Sequence, residues 1–207
     1  MGVSNRCRRH IPVIGITGQI GAGKSVVAGL FAAWGGVVIS GDRLGHEVIA
    51  RSARLRRRLV DVFGTDVLRR GQIDRTRLAQ RAFATAEGTC RLNALVHPLL
   101  LRELARQIRL AAGRPETKAV VIDAALLPEW GRERVAWDKL IGVWAPLALR
   151  HDRLKRRGWD DHQIRLRSRR QLAWRQRRAL CDCVVKNDGS RALLRRRARL
   201  CWEKIVP

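Results

Sequence analysis

Gly18-Gln19-Ile20-Gly21-Ala22-Gly23-Lys24-Ser25 sets two glycines, four residues between them, ahead of a Lys-Ser pair, the pattern of a phosphate-binding loop or P-loop. Backbone N–H groups of such a loop point inward at the α- and β-phosphates of a nucleotide. Glycine is needed where a Cβ would block the turn or the close approach. Lys24 is then expected to reach the β- and γ-phosphates, and the Ser25 hydroxyl to ligate Mg²⁺.

A pattern this short gains its meaning from a buried strand before it and a helix after it. Upstream, Val13, Ile14, Ile16 and Thr17 form an apolar, β-branched run that suits a buried strand of a parallel sheet. Downstream, Val27, Leu30, Phe31 and Trp34 recur at the spacing of an amphipathic helix, which Gly35-Gly36 should stop.

The chain has 207 residues, 46% of them hydrophobic, enough for one large domain with a substantial core. No run approaches the eighteen or so apolar residues of a membrane span, and the start lacks an apolar signal segment, so a cytoplasmic location is expected. Cys7, Cys90, Cys181, Cys183 and Cys201 are odd in number and include no Cys-x-x-Cys pair, which reads as reduced thiols. Cys181 and Cys183 alternate at a strand start and so should face opposite ways, a poor geometry for shared metal binding.

The formal charge is +25, which favours polyanionic partners such as nucleic acid. Of the 43 basic residues, 37 are arginine, a skew that GC-rich coding produces without selection for binding. Aromatics are few and scattered, with no Tyr, three Phe and seven Trp, so no stacking platform is legible. Nucleic-acid binding is therefore expected only as non-specific, salt-sensitive attraction.

Val37-Val38-Ile39 reads as a second strand, and Ser40-Gly41-Asp42 follows its end. In an open α/β sheet, ligands bind beyond the carboxyl ends of strands. Asp42 is thus a candidate to take the proton of an attacking hydroxyl, with N-capping of the next helix as its structural role. Residues 46–116 read as a mostly helical insertion. Leu55, Leu59, Val62 and Phe63 share one helix face, Gly71 to Asp74 mark a turn, and a helix carrying Leu92, Leu95 and Val96 runs into His97-Pro98. The residue before proline is biased away from αR, which places His97 at a helix joint.

Ala119 to Asp123 reads as a buried strand ending in a carboxylate, the form of a Walker B segment, so Asp123 can hold Mg²⁺ through water. Two more strands are read at Lys139 to Trp144 and Cys183 to Lys186, and a last helix opens at Ser190. Between these strands lies a stretch with arginine at 150, 153, 156, 157, 165, 167, 169, 170, 175, 177 and 178. It offers little apolar surface, reads as non-core, and suits a lid that brings two or three guanidinium groups to a transferring phosphoryl.

Taken together, these segments resemble the dephospho-CoA kinase family. The resemblance rests on Ile16-Thr17-Gly18-x-Ile20-Gly21-x-Gly23-Lys24-Ser25, Asp42, Phe63-Gly64, Ile73-Asp74-Arg75 and Leu92-Asn93-x-x-x-His97-Pro98. Further on it uses Asp123-x-x-Leu126-Leu127-x-Glu129, Arg157-Gly158-Trp159, Gln171 and Asp182-x-Val184-Val185-x-Asn187-x-Gly189-Ser190. It implies an α/β fold, a P-loop kinase core with a flanked parallel sheet over residues 11–45, 117–149 and 180–207. A helical coenzyme-binding insertion at 46–116 and an arginine-rich lid at 150–179 would complete it.

The same resemblance implies ATP and Mg²⁺ as cofactors and dephospho-CoA as acceptor, phosphorylated on its ribose 3′-hydroxyl. Asp42, Lys24 and Arg157 would be catalytic, and Gly21, Ala22, Gly23, Lys24, Ser25, Val26 and Asn187 would hold ATP, Asn187 near the adenine. Asp42, His97 and Leu126 would hold the acceptor, and Ser25 with Asp123 the metal. Ser40, Val26, Ala125 and Pro128 depart from the family's usual residues, which implies a slightly altered acceptor pocket. A different small-molecule P-loop kinase and a basic nucleic-acid-binding protein are the competing readings, since a P-loop core alone does not choose an acceptor.

Overall fold

The computed structural model describes residues 10–169 and 171–206; Cys7 and Arg170, both considered above, lie outside them. The chain divides into two compact units, one of residues 1–38 with 108–207 and one of residues 39–107.

The first unit is built on a five-stranded sheet of order β2-β5-β1-β6-β7. Its strands are β1 (Val13–Thr17), β2 (Gly36–Ser40), β5 (Ala119–Asp123), β6 (Lys139–Trp144) and β7 (Cys183–Lys186). β1 pairs in parallel with β5, Val13 opposite Val120, and with β6, Gly15 opposite Leu140, while β6 pairs in parallel with β7. Residues 119–122 are all buried, the continuous apolar run expected of a strand covered on both faces. Because these strands run parallel, the segments after β1, β5, β6 and β7 emerge at one edge, where ligands of such sheets bind.

Helix α1 (Lys24–Ala33) and helix α10 (Arg191–Glu203) pack on this sheet through Val27, Phe31, Leu194, Ala198 and Trp202. The Phe31 and Trp202 rings are 5.0 Å apart and tilted, a favourable aromatic geometry. Ser190 caps α10, its hydroxyl accepting from Leu193 N–H at 3.2 Å. Cys201, on the buried face of α10, lies over Cys183 and forms a disulfide with it, Cα atoms 6.7 Å apart. The expectation of reduced thiols therefore fails for this pair; the two lie on different elements, so linear spacing could not show their approach. Cys181 is a free buried thiol, and desolvation pushes its pKa up to about 11.

The arginine-rich stretch forms α7 (Leu147–Lys155), α8 (Asp161–Ser168) and α9 (Trp174–Ala179). Asp160 caps α8 in a reciprocal capping box with Gln163. The stretch reads from its sequence as non-core, yet Arg150 is buried and Arg177 is 0% exposed.

The second unit holds α2 (Gly41–Arg51), α3 (Ala53–Phe63), a 3₁₀ turn, the strands β3 (Leu68–Arg69) and β4 (Gln72–Ile73), α4 (Arg75–Phe83) and most of α5 (Ala86–Ala112). Leu55 and Leu59 are buried, whereas Val62 is exposed and drops out of the expected stripe. The turn expected at Gly71 is a two-residue hairpin with Leu68 opposite Ile73, and both Arg70 and Gly71 have positive φ, as its tight loop requires. Asp74 then caps α4 by accepting from Thr76 and Arg77 N–H; these bonds, that from Arg77 foremost, hold its carboxyl below the usual range. No break occurs at His97-Pro98, because Pro98 lies inside the single helix α5. Proline there removes one backbone hydrogen bond, but the residue four before it, Ala94, is exposed, so its carbonyl is open to water. Buried Val96, Leu100 and Leu104 continue one apolar stripe past the proline. Among the described residues no helix is long and apolar enough to cross a membrane.

Candidate functional site

The P-loop bridges the end of β1 and the start of α1, and its glycines answer to steric limits. A Cβ on Gly18 would fall 2.5 Å from the Val143 carbonyl oxygen. Gly23 has φ +97, and a Cβ there would fall 2.2 Å from Asn187 Nδ2. Helix α1 begins at Lys24 with no side-chain cap and no acidic residue in its first turn. Its first N–H groups and the positive end of its dipole are thus left for an anion. Lys24 Nζ donates to the Gly18 carbonyl at 3.2 Å, folding its side chain back along the loop.

Ser25 Oγ donates to Asp123 Oδ2 at 2.8 Å, which brings the loop hydroxyl against the carboxylate at the end of β5. A hydroxyl and a carboxylate are hard oxygen donors of the kind Mg²⁺ prefers, and that ion needs few protein ligands when phosphates and water supply the rest. The residues present therefore fit it. Val26 is 48% exposed, and its N–H donates to the Gly23 carbonyl at 3.1 Å.

Asn187, just after β7, is buried, and its Nδ2 donates to the Ala22 carbonyl at 2.8 Å. Arg153 of α7 donates to the Asn187 carbonyl at 3.1 Å and to its Oδ1 at 3.3 Å. Asn187 is thus a brace for the loop backbone. Arg150 donates to the Ala145 carbonyl at 3.2 Å, and burial lowers its pKa from the ordinary arginine value. Arg157 lies exposed in the turn after α7, and Leu126 caps the short helix α6 (Leu127–Trp130) from a half-buried position.

In the sequence Arg177 is one basic residue among many, yet its guanidinium sits at the root of the loop. Nη1 donates to Thr17 Oγ1 and to the Ala125 carbonyl, the latter at 2.7 Å, and Nη2 donates to Glu129 Oε1 at 2.8 Å. Gln171 Oε1 accepts from the P-loop Ile20 N–H at 2.8 Å. Gln171 and Glu129 were legible as motif residues; nothing in the sequence distinguished Arg177.

In the second unit, Asp42 is exposed in the first turn of α2. It is not the N-cap that its place after a strand suggested: Ser40 takes that role, accepting from Arg43 N–H at 3.3 Å. His46 follows one turn later; burial and Arg75 lower its pKa, and Asp42 partly offsets them. His46, Arg56 and Arg75 line a cavity of about 300 Å³ whose walls include Ile49, Leu78 and Phe83. His97 is half-buried in α5, inside the helix and not at a joint.

The family model described as dephospho-CoA kinase matches residues 12–192. A dephospho-CoA kinase of Mycolicibacterium paratuberculosis is 39% identical over 197 residues, covering 94% of this chain and 47% of that protein. The chain therefore spans about half the length of that relative. The dephospho-CoA kinase of Corynebacterium diphtheriae is 36% identical over 196 residues and is covered to 97% of its length. The crystal structure of TT1252 from Thermus thermophilus superposes with a TM-score of 0.80 at 30% identity, covering 96% of this chain and all of that one. The match begins ahead of the P-loop strand and ends within the last helix, and the chain belongs to the dephospho-CoA kinase family.

Proposed function

We propose that the chain transfers the γ-phosphoryl group of ATP to the ribose 3′-hydroxyl of dephospho-CoA, giving coenzyme A and ADP, and that it does so in the cytoplasm. The 2.8 Å bond between Ser25 and Asp123 carries this reading, because it sets a metal-binding oxygen pair beside phosphate-binding amides. Backbone N–H groups of Gly21, Ala22, Gly23, Lys24, Ser25 and Val26 hold the ATP phosphates, and Lys24 reaches the β- and γ-phosphates. Ser25, and Asp123 through water, would hold Mg²⁺, whose charge would offset that of the phosphates. Asn187 braces the loop beside the nucleotide and lies near its adenine.

Asp42 orients the acceptor hydroxyl and takes its proton as the oxygen attacks the γ-phosphorus; the bond to the ADP oxygen breaks and ADP leaves. Arg157 stabilises the charge that spreads over the phosphoryl oxygens. His97 and Leu126 belong to the acceptor site. The cavity beside His46, with apolar walls and two arginines, suits a long ligand of amide and apolar character that also carries phosphate. A coupled assay for ADP release with dephospho-CoA, adenosine and shikimate as acceptors tests the reading. Turnover with dephospho-CoA far above the other two is expected, and equal rates would refute it.

A further inference from the structure

Residues 171–177 lie against the P-loop at two points. At one end, Gln171 Oε1 accepts from Ile20 N–H at 2.8 Å. At the other, the Arg177 guanidinium reaches Thr17, the last residue before the loop, and the Ala125 carbonyl and Glu129 carboxylate after β5. Glu129 Oε1 also accepts from Leu172 N–H at 3.2 Å, so the short strap is fixed from both sides. The strap follows α8, which carries Arg165 and Arg167.

The chemistry of this contact is unlike that of a site built only for stability. Arg177 is 0% exposed, its Glu129 partner is 22% exposed on its side chain, and Arg177 Nε is buried without a hydrogen-bond partner among the described residues. Buried ion pairs are often no better for stability than apolar residues of the same volume, and an orphaned donor adds a cost. What the pair does supply is direction. Its planar fork fixes three groups, at the end of β1, in the turn after β5 and in α6, relative to one another.

We propose that Gln171 and Arg177 are positioning residues that hold the P-loop in its nucleotide-binding shape and tie that shape to the arginine-rich segment. The proposal rests on the P-loop being the ATP site. Gln171 acts through the Ile20 amide, and Arg177 through Thr17, the Ala125 carbonyl and Glu129 of α6.

The test is titration of ATP into the wild-type protein, the Gln171→Met variant, and the Arg177→Met/Glu129→Leu double variant, with melting temperature and the acceptor KM measured alongside. Met keeps the length of Gln171 and removes its acceptor. The double variant removes the buried pair without stranding a charge. Loss of a hydrogen bond that acts on the loop should weaken ATP binding about five- to tenfold in Gln171→Met. The acceptor KM and melting temperature should hardly move. The double variant is expected to keep its melting temperature within a few degrees and lose ATP affinity at least as much. Unchanged ATP affinity in Gln171→Met overturns the proposal, whether or not the double variant folds. So does an acceptor KM that rises as far as the ATP constant. A wild-type protein that fails to bind ATP would instead overturn the P-loop assignment beneath it.

Discussion

The Ser25 hydroxyl donates to Asp123 Oδ2 across 2.8 Å, joining the first turn of α1 to the carboxyl end of β5. If this pair is the metal site, removing the charge should weaken Mg²⁺ and not ATP alone. Asp123→Asn is expected to raise the Mg²⁺ concentration for half-maximal rate about 10- to 100-fold, with partial recovery of rate at high Mg²⁺. A Mg²⁺ titration of both proteins checks this.

Lys24 is half-buried along the loop and donates to the Gly18 carbonyl, outside the packed core. Lys24→Ala should therefore leave the melting temperature nearly unchanged while lowering kcat by about 10² or more, the usual cost of a lost charge-stabilising donor. Steady-state kinetics together with a melting curve show whether the two effects separate.

Ser40 and not Asp42 caps α2, which makes the role of Asp42 easier to isolate. Asp42→Asn should lower kcat by about 10² to 10⁴ and leave ATP binding within a few-fold. Because capping belongs to Ser40, even Asp42→Ala should cost only a few tenths of a kcal/mol from the helix dipole, whereas Ser40→Ala should cost about 1 kcal/mol. Turnover and melting of the three variants decide whether Asp42 serves chemistry or helix stability.

Arg157 is exposed in the turn after α7. Arg157→Ala should lower kcat more than it raises the KM for ATP, since its charge matters most when the phosphoryl oxygens gain charge. A loss confined to KM would make it a ground-state contact.

The five-stranded core is legible because its strands are short apolar runs, several of them followed by a chemical signal. Thr17 precedes the P-loop, Asp123 ends β5 and Ser190 caps α10. The errors came where tertiary context overrides a local rule. Pro98 was read as a break, but the apolar stripe through Val96, Leu100 and Leu104 carries α5 across it. Asp42 looks like a cap from its place after β2, but Ser40, at the very end of that strand, caps α2 instead. Cys183 and Cys201 meet only when β7 and α10 pack. Arg177 was hidden among ten other arginines of one segment, since burial of a cation depends on a partner, Glu129, that is distant in sequence.

The +25 charge should give only weak duplex DNA binding that fades as salt rises, without changing phosphoryl transfer at physiological ionic strength. Binding measured at low salt and at about 200 mM salt tests this, and tight binding that persists at the higher salt would contradict it.

The most direct measurement compares dephospho-CoA with its 3′-deoxy analogue as acceptor and identifies the product by ³¹P NMR. Dephospho-CoA should be converted to coenzyme A, with a new phosphomonoester on the ribose and one ADP formed for each, while the 3′-deoxy analogue should bind and not react. Phosphorylation of the 3′-deoxy analogue, or ATP consumption without a new phosphomonoester on dephospho-CoA, would contradict the assignment.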